Sequence, residues 1–361
     1  VKRAGGLWEQ VVSFESLHAA AGRALRGKRG RAAAAGFHRE LERELLKLEA
    51  ELRAGTYRPG GFRNFWIQDP KKRLISAAPF RDRVVHHAVV AAIEPLVERR
   101  LIDHTYACRQ GRGQHRAIDR FRDHVRRYRY VLLLDIEKYF ASIDHAVIDG
   151  LLRRIIKDRR ILDLMGLILE NGAGVSYGKP RHYPGDDLFE PFRRPQGLPI
   201  GNLTSQLLAN LMLDPIDHLA TDRLRLSGYL RYMDDFACFS NSRDELQSAR
   251  VSFQEALWAR RLRLNERKSR VRETREVLTF LGFTFSRNGS GMERSGPASV
   301  RVRVAPTGVR RWRRRRRALE QAYASGDLTW FEVERSWAGW AAHADSVGAG
   351  ALAQGARPVP G

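Results

Sequence analysis

The sequence predicts an α+β fold, and three observations carry that expectation. Apolar residues recur at helical spacing through long stretches, as in Leu41, Leu45, Leu48 and Leu52 within 32–53. Between them lie short runs of strand character at 62–67, 73–76, 131–134, 229–240 and 280–285. Two of these runs meet acids: Val131–Leu134 runs into Asp135, and Asp234-Asp235 interrupts 229–240 between Tyr232-Met233 and Phe236.

Length and composition set the limits. A chain of 361 residues with 43% hydrophobic content supports one large domain, or two to three small ones, with real cores. A net charge of +23 exceeds what solubility needs and points to a polyanion, with nucleic acid as the natural partner. No apolar run approaches the roughly 18 residues of a spanning helix. Cys108 and Cys238 lie far apart and read as packing residues rather than a disulfide or a zinc site. Val1-Lys-Arg-Ala-Gly-Gly lacks a secretory apolar core, so a reducing, cytoplasmic setting is expected.

In order along the chain, residues 1–31 read as a partly ordered lead-in that touches RNA or a partner, with a solvated tail as the alternative. Ala32–Arg53 is expected to form one helix, stopped at Gly55. Runs 62–67 and 73–76 form a hairpin around Asp69-Pro-Lys-Lys, which carries Lys71, Lys72 and Arg73; basic residues there also keep a sheet edge soluble. A helix from Phe80 to Arg100 shows a stripe through Val84, Ala88, Ala91 and Leu96, with His86 and His87 in packing or template contacts. In Tyr106–His115, glycines allow close backbone approach while Arg109 and Arg112 supply charge. Gln114–Tyr128 is a basic helix.

The buried run 131–134 delivers Asp135 to a strand end, where it meets the pair Asp234-Asp235. An acid pair in a hairpin is by itself a turn signal. Three carboxylates on adjacent strands, however, suit two divalent ions roughly 3.5–4 Å apart that serve in-line phosphoryl transfer. Hard oxygen ligands favour Mg2+, with manganese the alternative. By position Phe140 is a core residue, and Ser142 or Asp144 caps a helix through Leu152. A helix over 158–170 precedes a Gly- and Pro-rich excursion over 171–195, and Gln196–Gln206 opens a long helix, Leu207–Leu224. A helix over Arg243–Arg263 turns Leu246, Phe253 and Leu257 inward, and Lys268 lies beyond it. After a 280–285 hairpin and a linker, Gly289–Pro297, the arginine-rich stretch Arg310–Arg317 lies in a helix from Pro306 toward Tyr323. A helix over Thr329–Ala344 follows, and disorder is expected beyond Ser346.

Tyr232-Met-Asp-Asp235 after a strand, paired with Asp135-x-x-x-x-Phe140, resembles the palm of reverse transcriptases, over roughly residues 60–345. The blocks Arg73–Arg83, Tyr106–His115, Gln196–Gln206 and Leu264–Lys268 are similar to further blocks of that family. The resemblance implies a right-hand polymerase: fingers over 32–128 with part of the palm, a ferredoxin-like palm over 129–288 with an insertion at 158–200, and a helical thumb over 289–345. It leaves 1–31 as lead-in, 346–361 as tail, and no stretch for a ribonuclease H or endonuclease domain. It implies RNA-templated DNA synthesis, with Asp135, Ile136, Asp234 and Asp235 at two metal ions and Lys268 as the acid for pyrophosphate. Lys71, Lys72 and Arg73 grip the triphosphate, Phe140 gates the sugar, and Ile200, Gly201 and Gln206 lie at the nascent pair. Arg109, Arg112, Phe280, Gly282, Arg310, Arg311, Arg313, Arg314 and Arg317 contact nucleic acid.

Most of the family has Gln-Gly-x-x-x-Ser-Pro where this chain has Ile200-Gly201-x-x-x-Ser205-Gln206. That form resembles reverse transcriptases of diversity-generating retroelements, which copy with errors opposite template adenine. The resemblance implies an RNA template, a DNA or RNA primer, deoxynucleoside triphosphates and a small basic accessory protein, in a bacterial or phage-encoded setting. A phage-defence or retron-like enzyme is the rival within the class, and a non-catalytic RNA-binding protein like a maturase is the rival outside it.

Overall fold

The computed structural model describes residues 3–68, 72–174, 180–288, 299–348 and 354–358. Four helices come first: α1 (Trp8–Val12), α2 (Phe14–Leu25), α3 (Ala32–Arg39) and α4 (Leu41–Ala54). The hairpin β1 (Arg63–Ile67) and β2 (Arg73–Ala77) follows, then α5 (Phe80–Glu98), α6 (Gln114–Arg127) and β3 (Tyr130–Asp135). Helices α7 (Tyr139–Ser142), α8 (His145–Ile155), α9 (Arg159–Gly172), α10 (Glu190–Arg193) and α11 (Leu203–His218) separate β3 from β4 (Gly228–Tyr232) and β5 (Asp235–Ser240). The chain continues through α12 (Arg243–Trp258), β6 (Arg270–Glu273), β7 (Leu278–Phe280), β8 (Phe283–Asn288), β9 (Ser299–Val304), α13 (Pro306–Ala324) and α14 (Trp330–Asp345).

The central sheet has the order β4-β5-β3-β6 with every neighbour antiparallel. Its strands are linked by a helical crossover, a hairpin and a second crossover, the split β-α-β layout of ferredoxin-like sheets. Strand periodicity explains why it is covered on both sides. Leu132, Leu134, Phe236 and Cys238 face a large core built with α5, α8, α9, α11 and α12. Val131, Ala237 and Phe239 face a second core, in which Phe121 of α6 stacks on Phe280 at 4.5 Å and 7°. Phe239 and Phe285 also pack on Phe121, which ties the three-stranded sheet β7-β8-β9 to the central one.

Several expectations need correction. The lead-in is an ordered helical layer: Leu17, Ala20, Ala21, Ala24 and Leu25 form a buried stripe at helical spacing, packed on α5. Small alanines let two helices approach closely, so a weakly hydrophobic stretch still buries well. The helix over 32–53 breaks at Glu40 (φ −109°, ψ 29°), and α4 stops at Gly55 in the left-handed region (φ 70°). The long apolar helix starts at Leu203 rather than 207, and after His218 it widens into a π-helical turn, Leu219–Arg223. The helix over 243–263 ends at Trp258. Part of the expected disordered tail docks, since Trp312 Nε1 donates to the Ala356 carbonyl at 3.1 Å and Arg357 pairs with Glu334 at 2.8 Å. Cys238 is buried as expected, whereas Cys108 is exposed; neither forms a disulfide. The linker Gly289–Pro297 lies outside the described residues. Among those described, no helix is long and apolar enough to cross a membrane.

Candidate active site

The register of β3 with β5 sets Asp135 directly opposite Asp235. The β4–β5 hairpin closes through Met233, whose φ of 56° makes the turn tight, and this presents Asp234 beside them. Like charges at this spacing repel, and Asp234 registers it. Burial pushes its carboxyl pKa up and the Asp135 charge adds to that, while Arg73 and Lys268 pull the other way.

Asp135 is held from four sides by the turn that follows α12. Its Oδ1 accepts from Lys268 Nζ at 2.7 Å and its Oδ2 from Asn265 Nδ2 at 3.1 Å. Its carbonyl accepts from Asn265 N at 2.7 Å, and its own N–H donates to Ser269 Oγ at 3.3 Å. The structure thus places the Lys268 ammonium on a carboxylate of the site. Asn265 and Ser269, which the sequence reading missed, complete the clamp. Ile136 is buried and bridges Leu264, so only its backbone is available to the site.

Beneath the turn lies a second missed group. Arg231 is fully buried, with Nε and Nη2 on the two oxygens of Asp217 at 2.7 and 2.6 Å and Nη1 donating to the Met233 carbonyl at 3.0 Å. Asn210 accepts from Nη1 at 3.1 Å, and Tyr229 and Thr105 donate to Asp217. This network fixes the carbonyl immediately before Asp234. A charged residue inside an apolar strand was the signal in the sequence; its partner, on α11, was not.

Asp135, Asp234 and Asp235 suit a hard dication by chemistry. They are carboxylate oxygens alone, and Asp234, raised mainly by burial and further by the Asp135 charge, is a buried acid beside a second one. Among the described residues no three acidic, His or Cys side chains stand close enough to enclose an ion, and an ammonium lies on one oxygen of Asp135.

Around the carboxylates, Phe140 is half-buried, edge-on to Tyr139 at 5.6 Å and 71°, and its carbonyl accepts from Leu198 N at 2.7 Å. That bond draws in the segment leading to Ile200, whose carbonyl accepts from Ser76 N at 3.0 Å. Gly201 has φ +109°, and a Cβ there meets Ile75 Cγ2 at 3.0 Å, so glycine alone fits between the start of α11 and β2. Ser205 is buried and Gln206 exposed. On the hairpin Arg73 is exposed within electrostatic reach of Asp234, and the Lys72 ammonium lies 4.6 Å over Trp66. Lys71 lies outside the described residues.

The expected nucleic-acid contacts divide. Arg109 is spent inside the fold: it pairs with Glu98 at 2.8 Å and donates to the carbonyls of Ile102 and Thr105, so it is a structural cation. Phe280 is likewise core, stacked on Phe121. Both corrections share a cause, because basic and aromatic residues look alike in sequence whether they face a ligand or a neighbour. Arg112 pairs with Asp103 at 2.6 Å. Gly282 is exposed at the β7–β8 turn with φ 83°. Arg310, Arg313, Arg314 and Arg317 are exposed on α13, and Arg311 is half-buried.

Comparison with known proteins gives a consistent result. The family described as reverse transcriptase (RNA-dependent DNA polymerase) matches residues 68–285. Protein YkfC of Escherichia coli (strain K12) is 26% identical over 288 residues, covering 68% of this chain and 72% of that protein. The group II intron-encoded protein LtrA of Lactococcus lactis subsp. cremoris is 27% identical over 179 residues, 49% of this chain and 28% of that one. Nuclear intron maturase 1, mitochondrial, of Arabidopsis thaliana is 26% identical over 149 residues, 36% of this chain and 21% of its own length. The chain therefore spans under a third of the intron-encoded and maturase relatives.

Proposed function

The chain belongs to the reverse transcriptase (RNA-dependent DNA polymerase) family, and from that premise we propose that it extends a primer 3'-hydroxyl along an RNA template with deoxynucleoside triphosphates. The observation that carries this reading is the register of β3 and β5, which sets Asp135 opposite Asp235 beside the Asp234 turn. Asp135, Asp234 and Asp235 would hold two Mg2+ ions, which when bound activate the attacking hydroxyl and offset charge on the phosphates.

The rest of the chemistry falls to the chain's own groups. Arg231 fixes the turn through the Met233 carbonyl, so that Asp234 is preorganised. Arg73 and Lys72 bring positive charge from the hairpin to the triphosphate, and Phe140 supports the sugar and excludes a 2'-hydroxyl. Lys268 donates a proton to the leaving pyrophosphate once it has let go of Asp135. In the right-hand vocabulary the central sheet is the palm, the N-terminal helices and β1-β2 hairpin the fingers, and α13-α14 the thumb.

Within the family we favour an error-prone enzyme of the diversity-generating kind. Ile200 supplies no side-chain amide beside the tightly packed Gly201, and Gln206 stands exposed one turn into α11. A small basic accessory protein belongs to that reading. RNA binding without synthesis is the second reading, favoured by the maturase among the similar proteins.

Primer extension on a mixed-sequence RNA template, with the product sequenced, separates these readings. Synthesis with errors concentrated opposite adenine supports both the chemistry and the subtype, and accurate synthesis removes the subtype. Asp234→Asn is expected to lower incorporation by on the order of 10²–10³-fold or more while RNA affinity is kept. Undiminished synthesis by that variant would falsify the assignment.

A further inference from the structure

Away from the carboxylates, the C-terminal ends of four helical segments converge. Arg100 follows α5, Arg154 lies in the last turn of α8, Arg223 closes the π-helical turn after α11, and Arg260 follows α12. Together with His218 and Asp222 they line a cavity of about 430 Å³, whose remaining wall is aliphatic and holds no aromatic ring. Helix α11 is 16 residues long and separates this cavity from Gly201 by roughly 24 Å.

Cations at helix C-termini complement the helix dipole, and two of the four are accounted for in that way or by a partner. Arg100 pairs with buried Asp214 at 2.9 Å, and Arg260 donates to the Ala256 carbonyl at 2.8 Å. Asp222 is engaged by His218 at 2.7 Å and by Thr221. Among the described residues Arg154 and Arg223 make no hydrogen bond or ion pair, and both are exposed at the rim. Burial pushes the Arg260 pKa down, and the charges of Arg154 and Arg223 add to that while Asp214 opposes them. The wall thus gathers four guanidinium groups, and the nearby acids Asp214 and Asp222 are engaged by Arg100 and His218 rather than by Arg154 or Arg223. The π-helical turn that brings Arg223 to the cavity gives up regular α-helical hydrogen bonding, a distortion common at functional sites.

We propose that this cavity binds phosphate groups of a ligand at a site separate from the carboxylates. Planar guanidinium forks match phosphate oxygens in pairs, and a wall that offers no Phe, Tyr or Trp for a base to stack on reads phosphate rather than base. The backbone of a folded RNA and a free polyphosphate present the same oxygens. The site goes beyond the polymerase reading and does not depend on it.

The test uses the full chain in buffer with EDTA, so that divalent ions do not bridge phosphate to the carboxylates. Tripolyphosphate is titrated by calorimetry, and a labelled RNA hairpin by fluorescence anisotropy. The proteins compared are the unaltered chain, the double variant Arg154→Gln/Arg223→Gln, and Lys72→Gln/Arg73→Gln as a basic control on the β1-β2 hairpin. The cavity variant is expected to weaken at least one probe about tenfold or more while keeping its Tm. Loss on tripolyphosphate assigns the site to a free phosphate ligand. Loss on RNA alone, with the salt slope reduced by about two, assigns it to RNA backbone. Unchanged affinity for both probes, or equal weakening of each probe by the control variant, overturns the proposal.

Discussion

Arg231 carries a full charge where no water reaches it, and such a charge is tolerated only when matched. Asp217 matches it, so removing either partner strands the other. Asp217→Asn and Arg231→Met are each expected to cost about 3–5 kcal/mol, read as a fall in the urea midpoint. Arg231→Lys keeps the charge but has a single nitrogen for Asp217 and the Met233 carbonyl. It should fold better than Arg231→Met and still lose kcat, with KM for nucleotide little changed; equal activity would mean that the turn holds itself. Lys268 invites a different experiment. Its ammonium occupies Asp135 Oδ1, so Lys268→Met should raise affinity for Mg2+, measured by calorimetry, while lowering incorporation at saturating Mg2+. Unchanged Mg2+ affinity would mean that the ion pair does not compete for the carboxylate. The three carboxylates were legible in the sequence because two apolar strand runs each meet an acid and the Tyr232-Met-Asp-Asp235 resemblance pairs them. Asn265, Ser269 and Asp217 were not, because hydrogen bonding between residues far apart in the chain leaves no periodic trace.

Helix α5 shows what an element's surroundings do to its titration. It is packed by α2 and α11, so His86 is almost wholly buried, and burial pushes its pKa down to about 4. Above pH 6.5 both the folded and unfolded chains hold it neutral, and it contributes no pH dependence. As the pH falls from 6.5 toward 4, the unfolded chain takes up the proton first, so stability is lost across that window, by up to a few kcal/mol. His124 on α6, pushed down to about 3 mainly by burial, acts in the same direction. Denaturation midpoints from pH 7.5 to 5 should fall, and His86→Gln should flatten the fall; an unchanged slope would show that His86 does not carry it. The same surroundings explain which elements were readable. Helices α6 and α9 have strong apolar stripes and lie within two residues of expectation. Helix α2 buries alanines, whose contribution comes from close approach, and Asn202 at the start of α11 donates to the Ser76 carbonyl across to β2, a long-range bond that sequence periodicity does not show.

At the scale of the whole molecule, the charge of +23 is unevenly used. Arg109, Arg194 and Arg231 are consumed inside the fold by Glu98, Asp144 and Asp217. The arginines of α13 have the opposite arrangement. Trp312 is the buried residue of that helix, stacked on Trp340 at 5.0 Å and 8°, with Val309 and Tyr323 also packing, while Arg310, Arg313, Arg314 and Arg317 stand exposed. A helix anchored on one side and covered on the others in exposed guanidinium groups is suited to follow phosphates without reading sequence. Replacing Arg313, Arg314 and Arg317 together by Gln should therefore weaken RNA binding about equally for every sequence and reduce the slope of log affinity against log salt by about three, with Tm unchanged. Trp312→Ala should do the reverse, lowering Tm through loss of about 3–5 kcal/mol of packing and weakening RNA only as the helix loosens. A triple variant whose salt slope matches the unaltered chain would move the phosphate contacts off α13, leaving this helix to serve packing alone.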